Sequence, residues 1–237
     1  MRKKGLLSID WDYFIPMKNE WNGSYLENQN NINDQWYRRY LECKFHGEDI
    51  EKIVDVSNEV NDFWSKIRKK FRINKDVKVY VSESHKLSYK LAIDHSCQCV
   101  YSFDAHSDLG YGSCDSIYFQ TNCSNWLGKL LKNNLIEKAH IIYSPYSFEK
   151  QEDFEEISKK YSLDFANLES IKENENEEIT VIHICRSGAW TPPWLDKKFY
   201  NFIKELNIPY EVIDCPMRKW DIKNLNLSDQ INYMLCS

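Results

Sequence analysis

Two short motifs place acidic and histidine side chains at every second position of the chain. Asp10 and Asp12 follow one short apolar run, and Asp104, His106 and Asp108 follow another. Carboxylate oxygens and imidazole nitrogens are common ligands of divalent cations, and side chains two residues apart in an extended segment point the same way. The two motifs therefore predict binding of divalent metal ions, which support hydrolysis by activating a bound water.

A third candidate ligand, His85, stands after the apolar residues 77–81 and a short polar turn. In open α/β sheets, binding sites form beyond the carboxyl ends of the strands, so three such ends can bring distant ligands together. Each feature has an ordinary alternative: the DxD pair as a cap or turn, His85 as a surface residue, and Glu83 as a solvated turn residue. Their joint occurrence favours a metal site.

Four carboxylates and two imidazoles are enough to hold two divalent ions. We expect Asp10 and Asp104 to bridge the ions, and a water shared between the ions to become the nucleophile. The oxygen-rich ligand set suits manganese, so two Mn²⁺ ions per chain are expected, although iron, cobalt or nickel would fit the same geometry.

The rest of the chain predicts the elements that must position these ligands. Short apolar runs rich in β-branched and aromatic residues predict strands at residues 6–9, 77–81, 99–103, 140–143, 179–185 and 210–213. Helical spacing of apolar residues predicts helices at residues 48–71, 85–94, 122–134, 149–160 and 195–206, and from Ser228 onwards. This alternation is typical of a three-layer α/β/α domain with a mostly parallel sheet. Two Asn-rich segments, residues 19–33 and 167–178, are predicted surface loops.

Length and composition narrow the class of protein further. The 237 residues suit one domain that spans residues 1–237, and the formal net charge of −5 argues against a nucleic-acid partner, which needs a basic face. Neither terminus carries the apolar run of about 18 residues that a membrane span needs, so we expect a soluble cytoplasmic protein with no membrane partner. The 8 cysteines are scattered without a CxxC pair and are predicted to be reduced thiols.

Taken together, the motifs resemble those of the arginase and ureohydrolase superfamily, which carries a histidine after a strand, a DAHxD motif and an SxDxD motif. Here residues 104–108 read DAHSD, residues 8–12 read SIDWD, and His85 resembles the isolated histidine. The resemblance implies that the manganese ligands are Asp10, Asp12, His85, Asp104, His106 and Asp108.

The resemblance also implies how the ligands are divided between the two ions. His85 and Asp108 would bind one ion, and both bridging aspartates would contribute to it. Asp12 and His106 would bind the other ion with the same two bridges. A hydroxide between the ions would lie near Asp108, so Asp104 and Asp108 are the predicted catalytic residues.

The order of the motifs and the short chain resemble a permuted, atypical branch of the superfamily. In typical arginases the SxDxD motif follows the DAHxD motif, whereas here it comes first. The peptide arginases of ribosomal-peptide biosynthesis belong to this branch, and the chain is also similar to them in NWL at residues 125–127 and AWTPPW at residues 189–194. This resemblance implies hydrolysis of arginine side chains in a ribosomally made precursor peptide to ornithine and urea, through a hydroxide that bridges the metal ions.

Two parts of typical arginases, a proton-shuttling histidine and a glutamate that receives the guanidinium, have no clear counterpart in the chain. In the place of that histidine, Asn122 and Asn125 open a predicted helix whose N-terminus offers N–H donors, so they are candidates for substrate binding or ordinary caps. Arg186 and Trp190 follow another apolar strand and are candidates for substrate contact if that strand is parallel to the others. The same segment could instead be a rigid connection between a strand and a helix.

Other functions fit part of the same pattern. Related α/β folds use an Asp, His, Asp set around one metal in amide hydrolases and deacetylases, whereas Asp10 and Asp12 are additional here. An arginase could also act on a small guanidino compound, and a non-catalytic protein could use the carboxylates to bind basic peptides without metal. Metal stoichiometry and the effect of a chelator distinguish these hypotheses. The remaining strand histidines, His140 and His183, are predicted to be buried core residues.

Overall fold

Strands and helices alternate along most of the chain. The computed structural model describes residues 2–21, 32–111, 114–172 and 176–235. The strands are β1 (Lys3–Asp10), β2 (Ile73–Ser82), β3 (Cys99–Asp104), β4 (Lys138–Tyr143), β5 (Leu163–Ala166), β6 (Glu177–Cys185) and β7 (Glu211–Val212). The helices are α1 (Ile32–Phe45), α2 (Ile50–Ile53), α3 (Phe63–Lys70), α4 (Leu87–Asp94), α5 (Trp126–Lys132), α6 (Glu155–Lys160), α7 (Asp196–Glu205) and α8 (Leu227–Leu235).

The strands form one parallel sheet in the order β5-β4-β3-β1-β6-β2-β7. The central strand β1 lies between β3 and β6. From β1 the chain continues towards β2 on one side of the sheet, whereas from β3 it continues towards β4 on the other side. The carboxyl ends of β1 and β3 therefore flank a switch point, where a crevice opens in sheets of this kind.

Helices cover both faces of the sheet, which confirms the predicted three-layer α/β/α fold. On one face, α1, α3 and α7 pack against the strands through an aromatic cluster. Its fully buried members include Trp11, Phe14, Phe63, Phe199 and Phe202. On the other face, α4, α5 and α6 bury mostly aliphatic residues against the same strands. Burial on both faces explains why the central strands read as nearly continuous apolar runs.

The six predicted strands are all present, and each ends within one residue of its predicted end. This accuracy matters for the site, because the candidate ligands stand at or just after strand ends. The edge strand β5 was missed. Its four residues, LDFA, include an exposed aspartate and are too short to give a clear apolar signal.

The helix predictions were less accurate than the strand predictions. The predicted helix at residues 48–71 is divided into α2 and α3, because the β-branched residues Val54 and Val56 precede a 3₁₀ turn at Asn58–Asn61. Helix α1 was not predicted, since its apolar residues alternate with many polar and charged ones.

The two predicted loops are only partly within the described residues. Of residues 19–33, residues 22–31 lie outside the described part of the chain, and Ile32 already begins α1. Of the second loop, residues 173–175 lie outside it. Leu168 in that loop is buried within a 3₁₀ turn, so the loop is not wholly on the surface.

The described residues also show how the cysteines are buried and whether any helix could span a membrane. Within the described residues, six cysteines form no disulfide bond and are all buried: Cys43, Cys97, Cys99, Cys123, Cys185 and Cys215. None of the described helices is both long enough and apolar enough to cross a membrane.

The start of α5 packs directly on the loop that follows β3. The backbone N–H groups of Leu127 and Gly128 both donate to the carbonyl oxygen of Asp108 at 3.2 Å. Asp108 has a φ of 53°, in the left-handed region that residues other than glycine rarely adopt. A Cβ atom on Gly128 would lie only 2.5 Å from the carbonyl oxygen of Leu109. The absence of a side chain at Gly128 thus allows the helix to hold the loop.

We expect Gly128→Ala to lower the free energy of unfolding by about 1–3 kcal/mol, because the added methyl group meets rigid backbone. Gly5→Ala is the matched control, since the nearest atoms to its Cβ would be the side-chain ends of Ile179 at 3.0 Å and Cys99 at 3.2 Å, and the nearest backbone atom, the carbonyl oxygen of Glu178, would lie at an ordinary contact distance of 3.6 Å. Chemical denaturation of both variants measures the difference. A Gly128→Ala protein as stable as the Gly5→Ala protein would contradict this description of the helix contact.

Candidate metal centre

The carboxyl edge of the sheet brings the predicted ligands together. The group consists of Asp10, Asp12, His85, Asp104, His106 and Asp108. The SxDxD aspartates stand at the end of β1 and in the 3₁₀ turn that follows it, and the DxHxD ligands stand at the end of β3 and in the next loop. The histidine after β2 precedes α4. Three strands that end at the same edge therefore explain the cluster.

One set of ligands, the inner site, surrounds Nδ1 of His85. This nitrogen lies 2.8 Å from Oδ2 of Asp108, 3.0 Å from Oδ2 of Asp104 and 3.3 Å from Oδ2 of Asp10. The exposed fraction of these side chains is at most 7%. Protein atoms therefore separate the inner site from solvent.

A second set of ligands, the outer site, surrounds Nδ1 of His106. This nitrogen lies 3.0 Å from Oδ2 of Asp12 and 3.5 Å from Oδ1 of Asp104. Asp104 thus directs one oxygen to each site, as expected for a bridging ligand. The side chain of His106 is 23% exposed, so the outer site is open to solvent on one side.

The donor atoms of both sites fit divalent cations. Nδ1 of His85, Oδ2 of Asp104 and Oδ2 of Asp12 are buried. Each lies close to another ligand atom, but none of the three makes a hydrogen bond of normal geometry with the described residues. Buried polar atoms are normally satisfied, so these three call for a partner of another kind. Ligands at right angles around a cation, with bonds of about 2.1 Å, lie about 3.0 Å apart. The nitrogen-to-oxygen distances in both sites are close to that spacing.

Burial and mutual repulsion shift the protonation of the ligands. Burial, together with the charges of Asp12 and Asp104, raises the pKa of Asp10 well above its usual range. Burial and the charge of Asp104 raise the pKa of Asp108 to about 6. Burial alone would lower the pKa of His85, but the close carboxylates of Asp104 and Asp108 outweigh it and hold this pKa well above its usual value. The cluster therefore favours positive charge, which protons on the ligands or a bound cation can supply.

Two side chains that the sequence analysis did not select hold ligands in place. Oγ of Ser187 donates to Oδ2 of Asp10 at 2.5 Å, and Nε1 of Trp126 donates to Oδ2 of Asp108 at 2.5 Å. The ring of Trp126 also packs 4.9 Å from that of His85. Contacts of this kind orient metal ligands and tune their affinity. Trp126 lies within the NWL stretch and Ser187 follows β6, but sequence position alone does not reveal which ligand each one contacts.

Glu149, also missed by the sequence analysis, holds the loop that carries His106. Its Oε2 accepts the backbone N–H of Ser107 at 2.8 Å, and its Oε1 accepts the hydroxyl of Tyr111 at 2.5 Å. Burial raises the pKa of Glu149, while the nearby His106 and the two hydrogen bonds oppose this shift. The carboxylate therefore fixes the loop and adds negative charge beside the outer site.

A cavity of about 160 Å³ opens beside the outer site. Its walls include the apolar and aromatic side chains of Ile15, Met17, Phe148 and Trp190 and the carboxyl groups of Asp12, Glu149 and Asp153. The ring of Trp190, a predicted substrate residue, lies 5.7 Å from that of His106. Acidic groups among apolar walls suit a cation on an apolar stem.

The hydrogen bonds of Asn122 and Asn125 are those of a structured turn before α5. Asn125 is 1% exposed, and its Oδ1 accepts the N–H of Asn122 at 2.9 Å. Its Nδ2 donates to the carbonyl oxygens of Ser116 and Gln120. Oδ1 of Asn122 accepts the N–H of Ser124 at 3.0 Å. Asn125 directly precedes α5, but its side chain makes no cap hydrogen bond to that helix. These contacts therefore hold the turn together and do not form a side-chain cap, and the cavity beside the outer site is lined by other residues.

Arg186 lies in a buried network of ion pairs at the end of β6. It is 1% exposed, and its guanidinium donates to Glu83 and Asp196 at 2.9 Å each. Glu83 is 7% exposed and also accepts the N–H of Gly188 at 2.8 Å. The prediction of a solvated Glu83 was therefore wrong, because a buried guanidinium needs a carboxylate partner. For Arg186 the contacts support the alternative of a rigid connection after the strand.

Comparison with known proteins adds no assignment. No protein-family model, no curated protein and no solved structure matches the chain. The resemblance to the arginase superfamily accordingly stays a prediction from the motifs.

We expect the protein to bind about two manganese ions per chain, the inner one more tightly because its site is closed and has more ligands. His106→Ala should leave about one ion bound, and Asp104→Ala, which removes an oxygen from each site, should leave fewer. Elemental analysis after dialysis measures the stoichiometry. The exposed His46 provides the control variant His46→Ala, which should retain both ions. Retention of two ions by Asp104→Ala would refute the ligand assignment.

We expect Arg186→Ala to lower the free energy of unfolding by about 3–5 kcal/mol, because it leaves the buried carboxylate of Glu83 without its charged partner. Trp190→Ala, at the edge of the cavity, should lower it much less. Denaturant titration of the two variants makes the comparison. If Arg186→Ala unfolded like the wild type, the ion-pair network would not have the structural role described for it.

Proposed function

We propose that the protein is a manganese-dependent hydrolase that converts arginine side chains of a ribosomally made precursor peptide to ornithine and releases urea. The observation that carries this proposal is the pair of ligand sets joined by Asp104 beside an acidic cavity. A hydrolase with one metal ion would need the inner site alone, whereas Asp12 and His106 supply a second set of ligands. In this proposal the reaction takes place in the cytoplasm, where the buried free cysteines stay reduced.

The chemistry is divided between the metal ions and the side chains. When bound at both sites, two manganese ions would supply a water that is deprotonated near neutral pH, which a poor electrophile such as guanidinium requires. Asp104 sets the spacing between the sites through its two oxygens. Asp108, held by Trp126, and the other buried ligands keep bulk water away from the inner side of the reacting centre. The open outer side leaves room for the substrate.

The cavity supports an arginine side chain within a peptide as the substrate. The carboxylates of Glu149 and Asp153, which are not metal ligands, attract a guanidinium, and the apolar walls formed by Met17 and Phe148 suit its aliphatic stem. The ring of Trp190 offers an aromatic face on which a planar guanidinium can stack. Free arginine carries an additional carboxylate, which the same acidic lining repels. An arginine inside a peptide does not carry that charge.

The test is mass spectrometry of an arginine-containing peptide, with free arginine in parallel, after incubation with the manganese-loaded protein. We expect a loss of about 42 Da per modified arginine on the peptide, the difference between a guanidinium and the amine that remains when urea leaves. A peptide with lysine in place of arginine and the variant Asp104→Asn are the controls, and neither should react.

The alternative outcomes are equally informative. A mass loss on free arginine alone would make the protein an ordinary arginase and would contradict the charge argument from the cavity. No loss on either substrate, with two manganese ions bound, would overturn the proposed hydrolysis of guanidinium groups.

A further inference from the structure

A line of hydroxyl and imidazole groups leads away from the closed side of the inner site. It connects Ser82, His183, Ser88, Ser8 and His85 through hydrogen bonds of 2.6–2.8 Å. Each of these side chains is at most 1% exposed. They come from β2, β6, α4 and β1 and from the segment before α4, so the line ties the central strands to the inner site.

The direction of the hydrogen bonds follows from one end of this line. Oγ of Ser82 lies 2.8 Å from the carbonyl oxygen of Ser84, which can only accept. The single proton of the Ser82 hydroxyl goes to that carbonyl, so the hydroxyl oxygen accepts from Nε2–H of His183. His183 is fully buried between two hydroxyl groups and is therefore neutral. A neutral ring with a proton on Nε2 has an unprotonated Nδ1.

The directions of the remaining hydrogen bonds are fixed in the same way, as far as the metal ligand His85. Ser88 must donate its proton to Nδ1 of His183, because that nitrogen can only accept. Ser8 then donates to Ser88, which leaves the Ser8 oxygen to accept from Nε2–H of His85. Nε2 of His85 is thus occupied as a donor. Its Nδ1 is the nitrogen that lies among the three carboxylate oxygens of the inner site.

We propose that Ser8, Ser88 and His183 are positioning residues that fix the tautomer of His85, so that its Nδ1 binds the metal ion of the inner site. The proposal rests on the metal sites of the proposed function and adds residues outside the six ligands. A neutral imidazole exchanges its proton between two nitrogens, and the other tautomer would present an N–H to the cation. Loss of a partner that orients a ligand histidine weakens metal binding by about 10–100-fold.

The first measurement uses the wild-type chain and needs neither substrate nor turnover. NMR of the histidine ring nitrogens reports which nitrogen of His183 carries the proton. With cadmium as a diamagnetic probe, it also reports which nitrogen of His85 binds the ion. We expect the proton on Nε2 of His183 and cadmium on Nδ1 of His85. A proton on Nδ1 of His183, or cadmium on Nε2 of His85, would overturn the proposal.

Variants then test whether the line affects metal binding. Ser88→Ala should weaken the tighter cadmium site about tenfold in chelator competition and shift the ring nitrogen signals of His85 and His183. Ser88→Thr, which keeps the hydroxyl, should bind more tightly than Ser88→Ala. Ser102→Ala is the matched control. Ser102 is paired with Ser8 across β3 and β1 and is as deeply buried, but its hydroxyl has no hydrogen-bond partner among the described residues.

The outcomes separate this proposal from the proposed function. Equal cadmium affinities of Ser88→Ala and Ser102→Ala would overturn the positioning role, whatever the activity of the protein. If arginine is not hydrolysed but the tautomers and affinities are as expected, the positioning role stands and the hydrolase proposal fails. A chain that binds neither cadmium nor manganese would overturn both. If Ser88→Ala does not fold, the wild-type tautomers still decide.

Discussion

The repulsion between carboxylates crowded into one buried crevice is the constraint on which the rest of the structure depends. Asp10, Asp104 and Asp108 each direct an oxygen at the same nitrogen of His85, at distances of 2.8–3.3 Å. Burying a charge costs several kcal/mol unless an opposite charge balances it. The crevice therefore requires positive charge, which protons on the ligands or divalent ions can supply. Two divalent ions balance more negative charge than two protons, and Asp104 links the two sets of ligands that could hold them.

The fold holds these charges together by attaching them to its most rigid parts. The strand ends at the switch point fix Asp10 and Asp104, and the start of α5 holds the carbonyl of Asp108 in a backbone conformation that few aspartates adopt. Glu149 fixes the loop of His106 by accepting the backbone N–H of Ser107. The ion pairs of Arg186 with Glu83 and Asp196 fix the chain where it leaves β6, the neighbour of β1. Flexible attachments would let the carboxylates move apart, so this rigidity preserves the geometry that a metal ion needs.

The sequence was most informative where structure is local. Apolar runs predicted six strands and their ends. Alternation at two of those ends selected five of the clustered ligands, and His85 was selected from its place after a third strand. The contacts that support the ligands were not predictable, because they join distant parts of the chain. Glu83 and Arg186 are 103 positions apart, and the indole of Trp126 reaches a carboxylate 18 positions away. A charged residue after a strand gives the same sequence pattern whether its side chain is exposed to solvent or paired with a buried partner. Short exposed strands such as β5 were not predicted for a related reason, because their position depends on the sheet that they join.

The inner and outer sites differ in which atoms can reach their ligand histidine. Water can reach the outer site, where the ring of His106 is partly exposed. The inner site is closed, so nothing but protein atoms can set the orientation and tautomer of His85. A buried line of hydroxyl groups that ends at a backbone carbonyl does this without adding charge, whereas a carboxylate partner would increase the repulsion already present. The neutral hydroxyls of Ser8 and Ser88 therefore suit one side of the His85 ring, because carboxylates already crowd its other side.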